Sequence, residues 1–136
     1  MKFYILIYFF LTIQGSFAGW DFIHKDKNNT SIFIDSSSIK VFNTLRYAWT
    51  MLSLDINNEN IKKTGFTSYV THEYFNCNNK TRASLIEIKF HKAMGQGKAF
   101  YDSYPDAVID KPIYGSLGSR LIEKVCNYAK VDDKQQ

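Results

Sequence analysis

Cysteine is scarce here: the 136 residues hold two, Cys77 and Cys126. Neither stands near the small residues Ser16 and Ala18 that close the apolar N-terminal run, which excludes a lipid anchor on a cysteine at that point. No HExxH and no paired Cys-x-x-Cys occurs, so neither a zinc-protease helix nor a thiolate metal cage is encoded. The three histidines, His24, His72 and His91, have no partner at metal-ligand spacing. The serines at 36–38 and Ser116 with Ser119 lack a nucleophile-elbow pattern. Met94-Gly95-Gln96-Gly97 lacks the length and the lysine-serine end of a phosphate cradle, and reads as a tight bend or bulge. There is no internal repeat and no low-complexity domain. These absences leave no catalytic constellation, no metal site and no cofactor.

Also missing is an apolar run near the roughly 20 residues a helix needs to span a bilayer. The longest, Phe3 to Leu11 continuing through Ile13, follows Lys2 and precedes Ser16 and Ala18. That order is a secretory signal peptide, residues 1–18, cleaved after Ala18, and it predicts no membrane span in the mature chain. What remains is 118 residues, one domain able to bury a modest core. Lys2 leaves with the leader, so 16 Lys+Arg face 13 Asp+Glu. Lys25, Lys27, Lys40, Lys62, Lys63, Lys80, Arg82, Lys89, Lys92, Lys98 and Lys111 are spread along the chain, whereas nucleic-acid binders concentrate charge on one face; no nucleic-acid partner is expected.

Most of the mature chain alternates with period two, the pattern of strands. GWDFI (19–23) and SIFID (31–35) read as two strands joined by a polar turn, and SSS (36–38) as a further turn. Leu45 to Leu54 puts Leu45, Tyr47, Trp49 and Met51 on one face and Arg46, Ala48, Thr50 and Leu52 on the other, with Trp49 expected in the core. Asp55 to Thr64 reads as an exposed loop. Phe66 to Cys77 aligns Tyr69, Thr71, Glu73, Phe75 and Cys77; Ala83 to Phe90 aligns Ser84, Ile86, Ile88 and Phe90; Lys98 to Tyr104 is a short sixth strand.

Ser116 to Lys130 alone in the mature chain has helical periodicity. Leu117, Leu121, Ile122, Val125, Cys126, Tyr128 and Ala129 share one half, and Ser116 is the N-cap. The fold class is therefore α+β: one antiparallel sheet of about six strands with a C-terminal helix on one face. The domain runs over 19–130, with a polar tail at 131–136. One helix cannot cover a whole sheet, so the other face is polar or buried in a partner; a homodimer through that face or an edge strand is one expectation.

Two cysteines in an exported chain are expected to pair and pin helix to sheet; two free thiols or a metal pair are the alternatives. The bond would be worth roughly 4 kcal/mol in the chain-entropy model. Sixteen aromatics in the mature chain exceed what a small core needs. Tyr47, Tyr69, Tyr74, Tyr101, Tyr104 and Tyr114 are accordingly candidates for an exposed contact surface, with packing on the sheet edges as the competing use.

In their order along the chain these features resemble a family, the bacterial surface-adhesin protein E-like proteins of Gram-negative bacteria. The matching residues are Trp20, Phe33-Ile34-Asp35-Ser36-Ser37-Ser38-Ile39, Trp49, Cys77, Met94-Gly95-Gln96-Gly97, and Ser116, Gly118, Leu121 and Val125-Cys126. The resemblance implies a six-stranded antiparallel sheet clamped to its helix by a Cys77–Cys126 disulfide. It also implies export to the periplasm or outer surface and adhesion to host extracellular-matrix or cell-envelope proteins. The other expectation, from a different class, is a periplasmic enzyme or small-ligand protein built around His72, His91 and the Met94–Gly97 loop.

Overall fold

The computed structural model describes residues 19–104 and 106–132, with side chains as far as residue 128. The expected leader, 1–18, and the end of the expected tail, 133–136, lie outside the described residues. The elements are β1 (Trp20–Lys25), β2 (Ser31–Asp35), β3 (Lys40–Phe42), β4 (Leu45–Ser53), α1 (Glu59–Thr64), β5 (Ser68–Asn76), β6 (Thr81–Phe90), β7 (Ala99–Ser103) and α2 (Leu117–Asp132). The sheet is antiparallel throughout, in the order β1-β2-β4-β5-β6-β7, and the short β3 pairs with the start of β4 beside β2. β3 was hidden in what reads as turn sequence. α1 interrupts the Asp55–Thr64 loop, capped by Asn58 at one end and by left-handed Gly65 at the other.

α2 packs where its periodicity directs. Ser119 N donates to Ser116 Oγ at 3.3 Å, so Ser116 caps the helix. Leu121, Ile122, Val125 and Cys126 are buried against Ile32, Ile34, Ala48 and Phe75 of the sheet, and burying each large apolar side chain contributes about 1.5–3 kcal/mol. Tyr128 falls outside the contact and is 39% exposed. Cys77, just beyond β5, bonds Cys126 with Cα atoms 5.7 Å apart, closing 49 residues of chain. Gly118 lies where the connector crosses the helix: a Cβ there would stand 2.9 Å from Pro112 Cγ and 3.1 Å from Arg82 Cζ.

The helix chose the face of β4 that carries Arg46, Ala48 and Thr50, all buried. Trp49 therefore lies on the opposite face, half-buried, and not in the core beneath the helix. Along β6 the expected alternation breaks, because His72 pairs with Ile86 but Glu73 with Ser84. The extra residue, Leu85, is a bulge. It sends Ser84 to the helix side while Ile86 and Ile88 line the open side.

On that open side the register assembles one continuous row across six strands: Phe22, Phe33, Met51, Val70, Ile88 and Tyr101. The middle of the row is covered by the Met94–Gly97 loop. Gly95 N donates to Ser68 Oγ at 2.9 Å and Met94 N to Ser53 Oγ at 3.3 Å, and a Cβ on Gly95 would lie 3.5 Å from Val70 and 3.7 Å from the Met51 sulfur. Positive φ at Met94, Gly95 and Gly97 lets the loop fold back so closely. This is why Met51 is fully buried with no helix over it.

Candidate interaction surface

Beside the loop, the open face presents a patch of rings. Tyr47 and Trp49 from β4 stand opposite Tyr74 and His72 from β5. Trp49 and His72 stack with centroids 4.8 Å apart and 24° between planes; Tyr47 lies 6.3 Å from His72 and 6.2 Å from Tyr74. β4 is anchored here by the 36–38 turn, where Trp49 N donates to Ser38 Oγ at 2.9 Å. Lys40 pairs with Tyr47, and Phe42 with Leu45, so β3 extends the patch. Burial, and next the charge of Lys40, hold the His72 imidazole below its usual range, which favours the neutral ring near pH 7. Phe42 and Tyr101 are each 65% exposed at the flanks.

The six candidate tyrosines do not form one surface. Tyr47 and Tyr74 meet in the patch, and Tyr101 projects from the same face on β7, opposite Ile88. Tyr69 belongs to the helix side, with its ring 6.4 Å from Phe66. Tyr104 follows β7 on that side and donates from its hydroxyl to Glu87 Oε1 at 3.2 Å; burial and then Glu87 raise its pKa. Tyr114 stands in the connector before α2, 98% exposed. Trp49, Phe42 and His72 complete the patch; none was a sequence candidate for a contact surface, His72 having been named only for the enzyme or small-ligand expectation. The alternation that aligned Tyr47 with Trp49 was the available signal for the tryptophan.

Beneath the N-terminal turn of α2, the buried Glu73 accepts from Thr50 Oγ1 at 2.6 Å and pairs with Arg82 at 3.3 Å. Arg82 also reaches Asp110 of the connector at 3.4 Å, and the backbones of Arg82 and Asp110 bond in both directions. Burial raises the Glu73 pKa, with Arg82 as the largest opposing influence. A carboxylate on the face shared with Phe75 had to find a cation, and the cation came from the next strand. The neighbouring cavity, about 410 Å³, is lined by Glu73, Arg82, Thr71, Ser84, Glu87 and Leu117 among others.

The two histidines of the enzyme expectation are not brought together. His72 stacks on Trp49 on the open face, whereas His91 stacks on Phe66 at 5.1 Å and contacts Phe100, which pairs with Lys89 on the helix side. The Met94–Gly97 loop has its own task as a cover for Met51. Among the described residues no cluster of three metal-ligating side chains occurs, and no helix is long and apolar enough to cross a membrane.

Comparison with solved structures places this architecture beside Haemophilus influenzae protein E. One crystal form superposes with a TM-score of 0.61 at 19% sequence identity, covering 82% of this chain and 91% of that one. A second structure of the same protein gives 0.60 at 20% identity, covering 83% and 88%. Protein E from a non-typeable strain gives 0.56 at 18% identity, covering 83% and 79%. At such identities the likeness is one of fold. No curated protein is significantly similar in sequence. The family model described as surface-adhesin protein E matches residues 20–127, nearly the whole described domain, and the chain therefore belongs to the surface-adhesin protein E family.

Proposed function

We propose that this protein is an exported binding module that uses the uncovered face of its sheet to hold a host extracellular-matrix protein or a cell-envelope protein. The observation that carries the reading is the stacked patch of Tyr47, Trp49, His72 and Tyr74, flanked by exposed Phe42 and Tyr101. Rings held in place by strand pairing lose little entropy on contact, and exposed apolar groups clustered on one face mark interaction sites. Of the six candidate tyrosines the proposed surface keeps Tyr47, Tyr74 and Tyr101. Membership of a surface-adhesin family supports display at the outer surface of a Gram-negative cell or in its periplasm. No catalytic role is assigned, since His72 and His91 face opposite ways.

The test is retention on immobilised matrix proteins. Trp49→Ala and Tyr47→Ala should each weaken retention by about 2 kcal/mol, as interface anchors do, and Tyr114→Ala should leave it unchanged. Protease shaving of intact cells that spares the protein, together with no retention of the wild type, would sink the matrix-adhesin reading. A second reading is favoured by β7, an edge strand whose five residues are all exposed: two copies could pair through it or through the open face. Sedimentation at micromolar concentration that finds monomer only would remove the homodimer.

A further inference from the structure

Lysines that the sequence scatters are gathered by the fold at one corner of the sheet. Three segments meet there: the end of α1 with its cap Gly65, the turn between β6 and β7, and the start of β7. Phe66 and His91 stack 5.1 Å apart at 17°, and Phe100 packs edge-on against both, at 5.3 and 5.2 Å. His91 Nδ1 donates to the Gly65 carbonyl at 2.7 Å, and His91 N to the Lys98 carbonyl at 3.3 Å. The rings thus tie together the backbones that carry Lys62, Lys63, Lys92 and Lys98, all four exposed. Lys98 Nζ lies 5.2 Å from the Phe100 ring centroid. Among the described residues these four make no ion pair. Lys89, by contrast, is already bound to Asp102 at 2.9 Å, and the acids of this corner are Asp102 and Glu87, which face Lys89, and Glu59 in the first turn of α1.

We propose that this corner is a docking site for a sulfated polysaccharide. Four exposed lysines that form no ion pair among the described residues, carried on backbone segments tied together by the ring cluster, match a polymer that repeats dense, compact negative charge, and lysine serves such groups as a point charge. Single-stranded nucleic acid asks for something different, free ring faces on which successive bases stack. Here Phe66 has His91 stacked against it and Lys89 Nζ 5.8 Å from its centroid, so the rings act as scaffold and the lysines as contacts. The site lies apart from the Tyr47, Trp49, His72 and Tyr74 patch, and goes beyond the protein-binding reading above without depending on it.

Calorimetric titration of the mature protein with a heparin oligosaccharide tests the proposal. Affinity should fall steeply from low to physiological salt, by about tenfold or more, as counterion release requires. The combined Lys62→Gln, Lys63→Gln, Lys92→Gln, Lys98→Gln variant should lose about tenfold or more at fixed salt. The equally charged Lys27→Gln, Lys80→Gln, Lys111→Gln, Lys124→Gln variant should stay within about threefold of wild type. Both sets change exposed lysines, so melting temperatures serve as the check on folding. Equal losses in the two variants, no binding by the wild type, or equally tight binding of desulfated heparin, polyglutamate or oligothymidine would each overturn the assignment. None of these outcomes bears on retention through the rings of Tyr47, Trp49, His72 and Tyr74, which pack on one another and not on Lys62, Lys63, Lys92 or Lys98.

Discussion

Glu73 and Arg82 form an ion pair in which one partner is sealed and the other is not: the carboxylate side chain is 5% exposed, the guanidinium 26%. Arg82 thereby joins three parts of the molecule, β5 through Glu73, the connector through Asp110, and the α2 entry beside Gly118. It is a second fastening for the helix, at the end opposite the disulfide.

Removing the guanidinium should strand a buried carboxylate. Arg82→Met is expected to cost about 3 kcal/mol, the lower end for breaking a buried pair because Arg82 is partly solvated. Glu73→Gln keeps the Thr50 hydrogen bond and removes the buried charge, so it should cost less than Arg82→Met. Urea denaturation of the two variants measures the difference; a larger loss for Glu73→Gln would contradict the buried-carboxylate account.

The pH dependence has two opposing contributions. His72 is depressed in the fold, so the stability from its neutral, stacked ring is present above the unfolded value near 6.5 and is lost as pH falls through the folded value. Glu73 is raised, so its contribution is full below the unfolded carboxylate value and is lost as pH rises through the folded one. Denaturation midpoints of His72→Phe should consequently fall less than those of wild type below pH 6.5, and Glu73→Gln should gain on wild type as pH rises from 4 towards 7.

Breaking the disulfide releases the C-terminal half of α2. Cys77→Ala with Cys126→Ala should lower stability by about 2–4 kcal/mol, read from urea midpoints, and should raise amide exchange around Val125 ahead of the sheet. The denatured, unreduced wild type should show no free thiol.

Gly118→Ala sets two known effects against each other. Alanine gains up to about 1 kcal/mol in helix propensity, but its Cβ would meet Pro112 at 2.9 Å and Arg82 at 3.1 Å, and overpacking costs about 1–3 kcal/mol. The net expectation is a lower melting temperature. An increase would mean that Pro112 gives way freely.

Much of this was written in local sequence. Period-two alternation located β1, β2, β4, β5, β6 and β7. One helical repeat located α2 with its Ser116 cap, and two cysteines in an exported chain implied their own pairing. Alternation also separated the two faces of β4 correctly. What it could not say is which face the helix would take. Both faces of that strand carry large side chains, and the choice rests on Ile32, Ile34 and Phe75, supplied by other strands. Alternation places Trp49 in the core, whereas the face beneath the helix carries Ala48 and Thr50, and the tryptophan joins the candidate surface.

Local sequence specifies the elements, their approximate order and the cysteines of the clamp, because hydrophobic period acts over a few residues and the chain holds only two cysteines to pair. Tertiary packing settles the rest. One bulge residue, Leu85, reverses the faces of half a strand, and a loop of positive-φ residues covers Met51. Glu73 finds Arg82, and lysines far apart in the chain reach one corner. Each of these depends on contacts between distant segments, set by strand register and turn geometry, to which a local pattern is blind.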